Sequence, residues 1–516
     1  MESKPRWMIR FIEAVESRRT SALALILCAL VLAPAFIIRV HPVTSESFAY
    51  DAIVSQAAAH RGFIANALDR SGMLYERRGH PPLLSYVILL NNRLFGSDEF
   101  GARIFSMIAG SLCCLAVSLS VLLILNRFGG RLAAALFGGL MLALLPVHLY
   151  VSRTANWDAV YSLFVTCALL FLALHLSNPR LRHLLPAGAF ACLALLTCEL
   201  GLILAPSFAF ALCMDLRKRP RKSVAKDWGL CALGASALLL LLWPAAVFKL
   251  SLFQSILFRI RDNAGNVPNL PWTALYRRLA GQSPAFVLAS VLGAGILALS
   301  LVAARKTSGE TRSALRGVHT MMLPFAIYVS TVFIVNTGQR LVHVHHIADM
   351  MPPLAVLFSC AAVAGARLAR RPGRTAIAAA CLLLLALSIP SAANRDPEIV
   401  GPQEHPGFLG IRDYLQGKPG ARTHYFYGFL IKQYLPDADI EGEQPRCWTA
   451  EKIARAKRTP YDFVVSDRSM FDDAYPDIGS LSKALEPEYR LAHTILHRRT
   501  RQPVAWIFSR SGTIFR

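Results

Sequence analysis

The sequence predicts an all-α polytopic membrane protein, with about eleven transmembrane helices and a small α/β domain at its C-terminal end. Of the 516 residues, 54% are hydrophobic and only 17% are charged, whereas a soluble protein carries about a quarter charged residues. Apolar runs such as 21–38, 231–248 and 284–304 reach the roughly 20 residues that span a bilayer. These observations exclude a soluble globular enzyme, a disordered protein and a disulfide-stapled secreted domain.

The basic residues predict the orientation of the chain. Clusters such as Arg18-Arg19 and Arg370-Arg371 lie in every second loop, and cytoplasmic loops carry this excess. We therefore expect a bacterial inner-membrane protein with a cytoplasmic N-terminus and a periplasmic C-terminal domain. Residues 184–214 form either one long tilted helix or two short ones, and basic flanks on both sides favour two. The predicted spans are 20–40, 102–125, 132–150, 157–177, 184–197, 199–214, 228–249, 284–304, 318–336, 347–368 and 374–393.

The net charge of +23 fits either a surface for nucleic acid or the basic loops of a membrane protein. From Asp396 to the end the sequence contains 17 Lys and Arg against 16 Asp and Glu. The excess therefore lies almost entirely in the apolar part of the chain. This distribution favours basic cytoplasmic loops, and nucleic acid is not an expected partner.

The end of the last apolar run divides the sequence into a transmembrane domain, 1–393, and a soluble domain, 394–516. Short apolar runs alternate with helical patterns in the second part, which is typical of a small α/β domain. Within the first part, the outer segment 250–283 is either an amphipathic lid or an interfacial helix that anchors the fold. The strands predicted in the soluble domain are 425–427, 461–465 and 503–508, and the helices are 448–458 and 478–488.

Ionisable residues are nearly absent from the centres of the predicted spans and gather at their outer ends. Transporters place such groups at mid-membrane, so this distribution favours chemistry at the outer surface. The first outer loop, 41–101, contains two acids near its start, Glu46 and Asp51. A carboxylate there can remove a proton from a hydroxyl. The competing interpretation is an ordinary solvated loop with surface acids.

Basic residues follow these acids later in the same loop. Arg77, Arg78 and His80 can stabilise a phosphate leaving group. A second polar group lies between the third and fourth spans and contains Arg153 and Asp158. Arg153 either serves the site or meets a lipid phosphate. Asp158 either caps a helix or faces the same cavity as the acids of the first outer loop.

The order of these motifs resembles that of the GT-C glycosyltransferases of the ArnT and protein O-mannosyltransferase type, the family 39-like group. His80-Pro81-Pro82-Leu83 fits the Lys/His-Pro-Pro-Leu motif of this group. Arg103 fits its Arg at the start of the second span, and residues 152–158 fit its second acidic motif. These enzymes use a polyprenyl-phosphate sugar on the outer side of the membrane. The resemblance therefore implies a GT-C fold and sugar transfer.

The first acidic motif departs from that group. The group has Asp-Glu followed three residues later by Tyr, whereas this chain has Glu46-Ser47 followed by Tyr50. The resemblance makes Glu46 the catalytic base, with Asp51 as the alternative. It assigns to Asp158 the orientation of the acceptor hydroxyl or of the base. The residues expected to bind the substrate or its phosphate are Tyr50, Arg77, Arg78, His80, Arg103, Arg153, Arg340, His345 and His346.

Metal dependence stays open at this point. His343, His345 and His346, with Asp349 close by, either hold a divalent metal ion or form a polar helix start that meets phosphate or water. A divalent ion held by Glu46 and by a carboxylate of the second motif is a separate alternative.

We expect an inverting transferase that takes a sugar from a polyprenyl-phosphate donor in the lipid bilayer. The acceptor is lipid A or lipopolysaccharide, another envelope glycan, or a protein. Two other classes of function compete with this one. The first is a transporter or flippase for a lipid-linked sugar, and the second is a non-catalytic membrane scaffold.

Overall fold

The computed structural model contains two compact units. The first holds the described helices up to residue 393, and the second holds the described residues from 408 onward. Apart from a few isolated positions, the structure describes residues 26–40, 63–67, 81–95, 99–126, 128–153, 157–245, 309–338, 348–368, 371–393, 408–418, 420–425, 438–441, 448–467, 475–496 and 502–512.

The first unit is a helical bundle. Within the described residues, six helices are long and apolar enough to cross a membrane, and five shorter apolar helices accompany them. The chain is therefore a multi-pass membrane protein, as the sequence predicts, while the count of eleven spans stays a prediction. The helices are α1 (Ala33–Val40), α2 (Phe63–Ala67), α3 (Leu83–Phe95), α4 (Glu99–Ile124), α5 (Arg131–Leu144), α6 (Pro146–Val151), α7 (Asp158–Ser177), α8 (Leu181–Thr197), α9 (Ala205–Lys218), α10 (Arg221–Leu242), α11 (Gly309–Gly338), α12 (Met351–Leu368) and α13 (Arg371–Ala393).

The segment 184–214 forms two helices, α8 and α9, as its basic flanks favour. Cys198 between them has an extended backbone, and a 3-10 helix, Glu199–Leu204, follows it. The ring of His175, just before α8, contacts the carboxylate of Asp215 near the end of α9 at 2.7 Å. The chain therefore crosses the bundle and returns.

The predicted span 132–150 is interrupted near its end. Helix α5 stops at Leu144 and α6 begins at Pro146, with Leu145 extended between them (ψ 119°). Proline has no N–H to donate and disfavours helical backbone at the residue before it. The break redirects α6 and brings His148 within 2.8 Å of Arg39 at the end of α1.

The last part of the predicted outer loop 41–101 is helical. Residues Leu83–Phe95 form helix α3, which packs against α4, and α4 itself begins at Glu99. The apolar run at the start of α3 is too short to span a bilayer, and Asn91 and Asn92 follow it. The hydropathy of residues 83–95 therefore does not predict a membrane span. The predicted span 284–304 and the segment 250–283 lie almost wholly outside the described residues.

Small residues bring the central helices close together. A Cβ atom on Gly138 of α5 would lie only 2.6 Å from the hydroxyl of Ser359 on α12. A Cβ on Gly139 would collide with the hydroxyl of Ser118 on α4, which donates to the carbonyl of Ala135 at 2.8 Å. Membrane helices associate by such close packing, because lipid supplies no hydrophobic force between them.

The helix ends form two groups with different chemistry. One group, which we call the basic end, lies where α7 meets α8 and α9 meets α10, and it carries Arg180, Arg217 and Arg221. The other group contains the ends of α1 and α6 and the start of α7, and we call it the Asp158 end. The predicted cytoplasmic side of the membrane corresponds to the basic end.

The second unit contains a five-stranded mixed sheet in the order β2-β1-β3-β5-β4. Strand β1 runs parallel to β2 and β3, and β5 is antiparallel to β3 and β4. Fully buried aromatic side chains such as Trp448, Phe463 and Phe508 fill its core. The elements are α14 (Phe408–Gln416), β1 (Thr423–Tyr425), β2 (Ile440–Glu441), α15 (Ala450–Arg458), β3 (Phe463–Asp467), α16 (Ile478–Leu485), β4 (Tyr489–Leu496) and β5 (Pro503–Arg510).

Three strands and two helices of this unit lie within a few residues of their predicted places. The predicted helix 478–488 stops at Leu485 because Pro487 follows. The sequence did not predict β4, since its outward residues include Leu491, which is 46% exposed, and the usual apolar–polar alternation is missing. The boundary between residues 393 and 394 stays a prediction.

Candidate active site

Asp158 is the first residue of α7, and its side chain is fully buried. Trp157 occupies the N-cap position before it, so the interpretation of Asp158 as the helix cap is wrong. A carboxylate in the first turn is stabilised by the positive end of the helix dipole. Position and burial therefore make this acid the centre of the candidate site.

A second buried carboxyl lies one helical turn away. Ser162 follows Asp158 by four residues, which places both side chains on one face of α7. The hydroxyl of Ser162 donates to the carboxyl of Asp349 at 3.1 Å, and Asp349 is only 2% exposed. Both acids also lie close enough to the thiol of Cys198 to interact with it electrostatically. Asp349 thus bonds a hydroxyl that lies one helical turn from Asp158 on the same face of α7.

Two buried tyrosines complete this polar cluster. The hydroxyl of Tyr161 donates to the carbonyl of Leu200 at 2.8 Å and lies 3.2 Å from the hydroxyl of Tyr328. The cluster joins α7 and α11 to the 3-10 helix after α8 and to the residues just before α12. It offers acceptors for hydroxyl groups in a region that the protein shields from lipid.

A second polar group, at the end of α1, lies within the same end of the bundle. Arg39 is fully buried and donates to the ring of His148 at 2.8 Å. Arg153, which is half-buried, donates to the carbonyl of Ile38. Arg103 is 4% exposed near the start of α4. Of the predicted residues, Arg153 and Asp158 therefore belong to the Asp158 end, and Arg103 is buried near the start of α4.

The remaining predicted site residues lie outside the described residues, so their convergence on Asp158 stays a prediction. The same holds for the metal alternatives, because the described part of the chain contains no group of three His, Cys, Asp or Glu residues that could hold an ion. Asp349, the one described member of the predicted metal cluster, contacts Ser162. The undescribed site residues are Glu46, Tyr50, Asp51, Arg77, Arg78, His80, Arg340, His343, His345 and His346.

Sequence reasoning missed the partners of the predicted residues. Arg39 and His148 carried a usable signal, because each is an ionisable residue inside or beside a predicted span. Tyr161, Ser162 and Tyr328 carried none, since hydroxyl residues are ordinary in apolar helices. Only the folded bundle brings Tyr161 and Tyr328 together.

This bundle, with Asp158 and Asp349 buried at one end, belongs to a multi-pass membrane protein. Residues 79–247 match the family model for dolichyl-phosphate-mannose-protein mannosyltransferases. The matched stretch contains His80, Arg103 and Asp158 and begins after Glu46. A comparison with curated protein sequences finds no match.

The structure is similar to ArnT from Cupriavidus metallidurans in the apo state, with a TM-score of 0.57 and 16% identity over 95% of this chain and 98% of that chain. ArnT from the same organism bound to undecaprenyl phosphate gives a TM-score of 0.56 and 16% identity over 92% and 96%. Arabinosyltransferase EmbB from Mycobacterium smegmatis gives 0.43 and 14% over 81% and 43%. The similarity to the two ArnT structures shows that the chain has an ArnT-like GT-C fold.

Proposed function

We propose that this chain is a glycosyltransferase that moves a sugar from a polyprenyl-phosphate donor to a hydroxyl of a cell-envelope acceptor. The observation that carries the proposal is the buried carboxyl cluster around Asp158 within an ArnT-like fold. A solved structure of ArnT contains undecaprenyl phosphate, which supports a lipid donor of that kind.

In the proposed reaction, Glu46 removes the proton of the acceptor hydroxyl, with Asp51 as the alternative base. The acceptor oxygen attacks the anomeric carbon of the sugar from the face opposite the phosphate. The bond between that carbon and the phosphate oxygen breaks, and the polyprenyl phosphate leaves with the electron pair. The configuration at the anomeric carbon is therefore inverted.

Asp158 orients the acceptor hydroxyl in this scheme. A carboxylate accepts hydrogen bonds without donating, so Asp158 accepts from a neighbouring donor group of the acceptor molecule while the reacting hydroxyl gives its proton to the base. The basic residues of the first outer loop, together with Arg103, stabilise the phosphate as it gains negative charge. The rigid start of α7 holds Asp158 in place, which favours one orientation of the acceptor.

We assign the reaction to the outer face of the bacterial cytoplasmic membrane. The clustering of Lys and Arg at the basic end supports a cytoplasmic position for that end. The Asp158 end, and the soluble domain 394–516, would then be periplasmic. The acceptor is an envelope component such as lipid A or lipopolysaccharide, another glycan, or a protein.

The test is an assay of the purified chain in lipid nanodiscs with a panel of labelled undecaprenyl-phosphate sugars and envelope extracts. We expect Asp158→Asn and Glu46→Gln each to lower turnover by about 10²-fold or more, since positioned acid–base groups contribute that much. The control is Asp413→Asn, an acid whose side chain is 53% exposed in the second unit. It should leave turnover unchanged.

Two results would contradict the proposal. Full turnover in both Asp158→Asn and Glu46→Gln would exclude the mechanism. Movement of labelled lipid across a vesicle membrane, with its sugar–phosphate bond intact and no transfer to any acceptor, would favour the transporter.

A further inference from the structure

Arg39 is a buried cation whose described partners are all neutral. Its guanidinium donates to the carbonyl of Ala35 at 2.8 Å, to the Nδ1 atom of His148 at 2.8 Å, and to the sulfur of Cys114 at 3.5 Å. Within the described part of the chain, no carboxylate pairs with it. A charged residue in a membrane segment is costly and by default indicates a functional role.

The Arg39–His148 contact fixes the state of the imidazole. A guanidinium can only donate, so Nδ1 of His148 accepts and the ring is neutral, with its proton on Nε2. His148 is fully buried on α6, and its carbonyl accepts from the hydroxyl of Ser152 at 2.5 Å. The geometry therefore requires one tautomer of His148.

A second hydrogen bond runs in the opposite direction between the same two segments. Arg153 donates to the carbonyl of Ile38, next to Arg39. The end of α1 thus donates to α6 through the guanidinium of Arg39. Through the carbonyl of Ile38 it also accepts from Arg153, which lies two residues after the end of α6. We call Arg39, His148 and Arg153 the α1–α6 junction.

Helix α4 packs against this junction at Gly110. A Cβ atom there would lie 2.5 Å from the Cβ of Ser152 and 3.0 Å from the Nε of Arg39. Any side chain at this position would therefore push the junction apart. Three segments that are distant in sequence meet here at van der Waals distance.

We propose that the α1–α6 junction is a positioning element for the transfer reaction, an inference that rests on the proposed function. Glu46 follows Arg39 by only seven residues, which limits its distance from Arg39 to about 25 Å. The segment that leads to Asp158 begins five residues earlier, at Arg153. The junction therefore fixes the starting points of both chain segments that carry the proposed carboxylates.

The decisive experiment compares two substitutions of His148 in the full-length chain. His148→Asn keeps an acceptor for Arg39, whereas His148→Leu removes it and leaves the cation without that partner. We expect His148→Leu to lower kcat by about 10- to 10²-fold, with KM for the donor within about twofold of the wild type, because sub-ångström misplacement costs rate rather than binding. His148→Asn should recover most of that loss.

Hydrogen–deuterium exchange of the same variants gives a readout that does not depend on activity. In His148→Leu, exchange should increase in peptides from 41–60 and 150–158 and stay unchanged at the basic end, for example in 171–180. Arg217→Met, which alters an exposed cation of the basic end, is the control and should change neither kcat nor exchange in these peptides.

Three results would overturn the proposal: wild-type exchange of 41–60 in His148→Leu, a kcat equal to that of the wild type, or equal losses in His148→Asn and His148→Leu. If the wild-type chain transfers no sugar to any acceptor, the proposed function fails. Exchange then still shows whether the junction orders the two segments, so the two failures are distinguishable.

Discussion

Buried ionisable side chains have different kinds of partner at the two ends of the helical bundle. At the basic end, Asp215 is 1% exposed and its carboxylate accepts from His175 at 2.7 Å and from Arg219 at 3.4 Å. Arg219 also pairs with Asp227 at 2.5 Å. At the Asp158 end, Arg39 and Asp349 are equally buried, yet their described hydrogen-bond partners are neutral.

This difference indicates that the charged side chains of the basic end hold helices together, whereas those of the Asp158 end serve the proposed reaction. The ring of His175 lies 3.2 Å from the carbonyl of Arg180 on one side and 2.7 Å from the carboxylate of Asp215 on the other. The charges at the basic end therefore neutralise each other and join α7, α9 and α10. Charges with neutral partners give no such compensation, which is why we place the chemistry at the Asp158 end.

The largest effect is expected from removing the acid at the centre of the basic end. Asp215→Asn leaves Arg219 and the ring of His175 without its carboxylate, and the loss of one partner of a buried pair costs about 3–5 kcal/mol. We expect a large fall in the melting temperature of the purified chain, with turnover per folded molecule close to wild type. A loss of turnover without a loss of stability would show that the basic end is itself functional.

A smaller effect is expected where packing alone is changed at the Asp158 end. Gly110→Ala forces a methyl group against Ser152, and overpacking of this kind costs about 1–3 kcal/mol. Gly229→Ala is the matched control, because a Cβ at Gly229 would meet nothing within 4 Å. The control should be neutral or slightly stabilising, since alanine is the better helix former.

Melting temperatures of these two variants in the same detergent measure the difference. If both glycines tolerate alanine equally well, the close contact between α4 and the α1–α6 junction is not required for folding.

The smallest effect is expected from a partly exposed ion pair in the second unit, which Glu441 forms with Arg455. Glu441 accepts from the hydroxyl of Tyr461 at 2.7 Å and from Arg455 at 2.6 Å, and these contacts hold its pKa below the usual value. Burial and Glu441 in turn raise the pKa of Tyr461 to about 12. Such exposed pairs contribute about 0.2–1 kcal/mol.

The sign follows from the lowered pKa of Glu441. Its contribution to stability is present above the unfolded pKa of about 4.3 and is lost as the pH falls below that value. Glu441→Gln should therefore weaken hydrogen-exchange protection of β1 and β3 slightly at pH 7 and not at pH 3. A difference that grows as the pH falls would contradict this account.

The sequence assigned Asp158 and Arg103 to the site from motif order and a helix start, which are local signals, and these roles stay predictions. It also predicted the helical class, the two helices in 184–214 and most elements of the small sheet. It could not identify the contact of Arg39 with His148, since 109 residues separate them and only the kink before Pro146 brings them together. Helix α3 was missed because its apolar run is too short to signal a span.

The separation of Arg39 from His148 has a consequence for synthesis of the protein. The chain emerges from the ribosome at about 5–20 residues per second, so α6 follows α1 by roughly 5 to 20 seconds. During that delay the guanidinium of Arg39 lacks His148, and beyond the Ala35 carbonyl of its own helix it is solvated by water and lipid headgroups, which its long side chain can reach. We therefore expect α1 to stay near the bilayer surface until α5 and α6 are inserted and His148 can accept from Arg39.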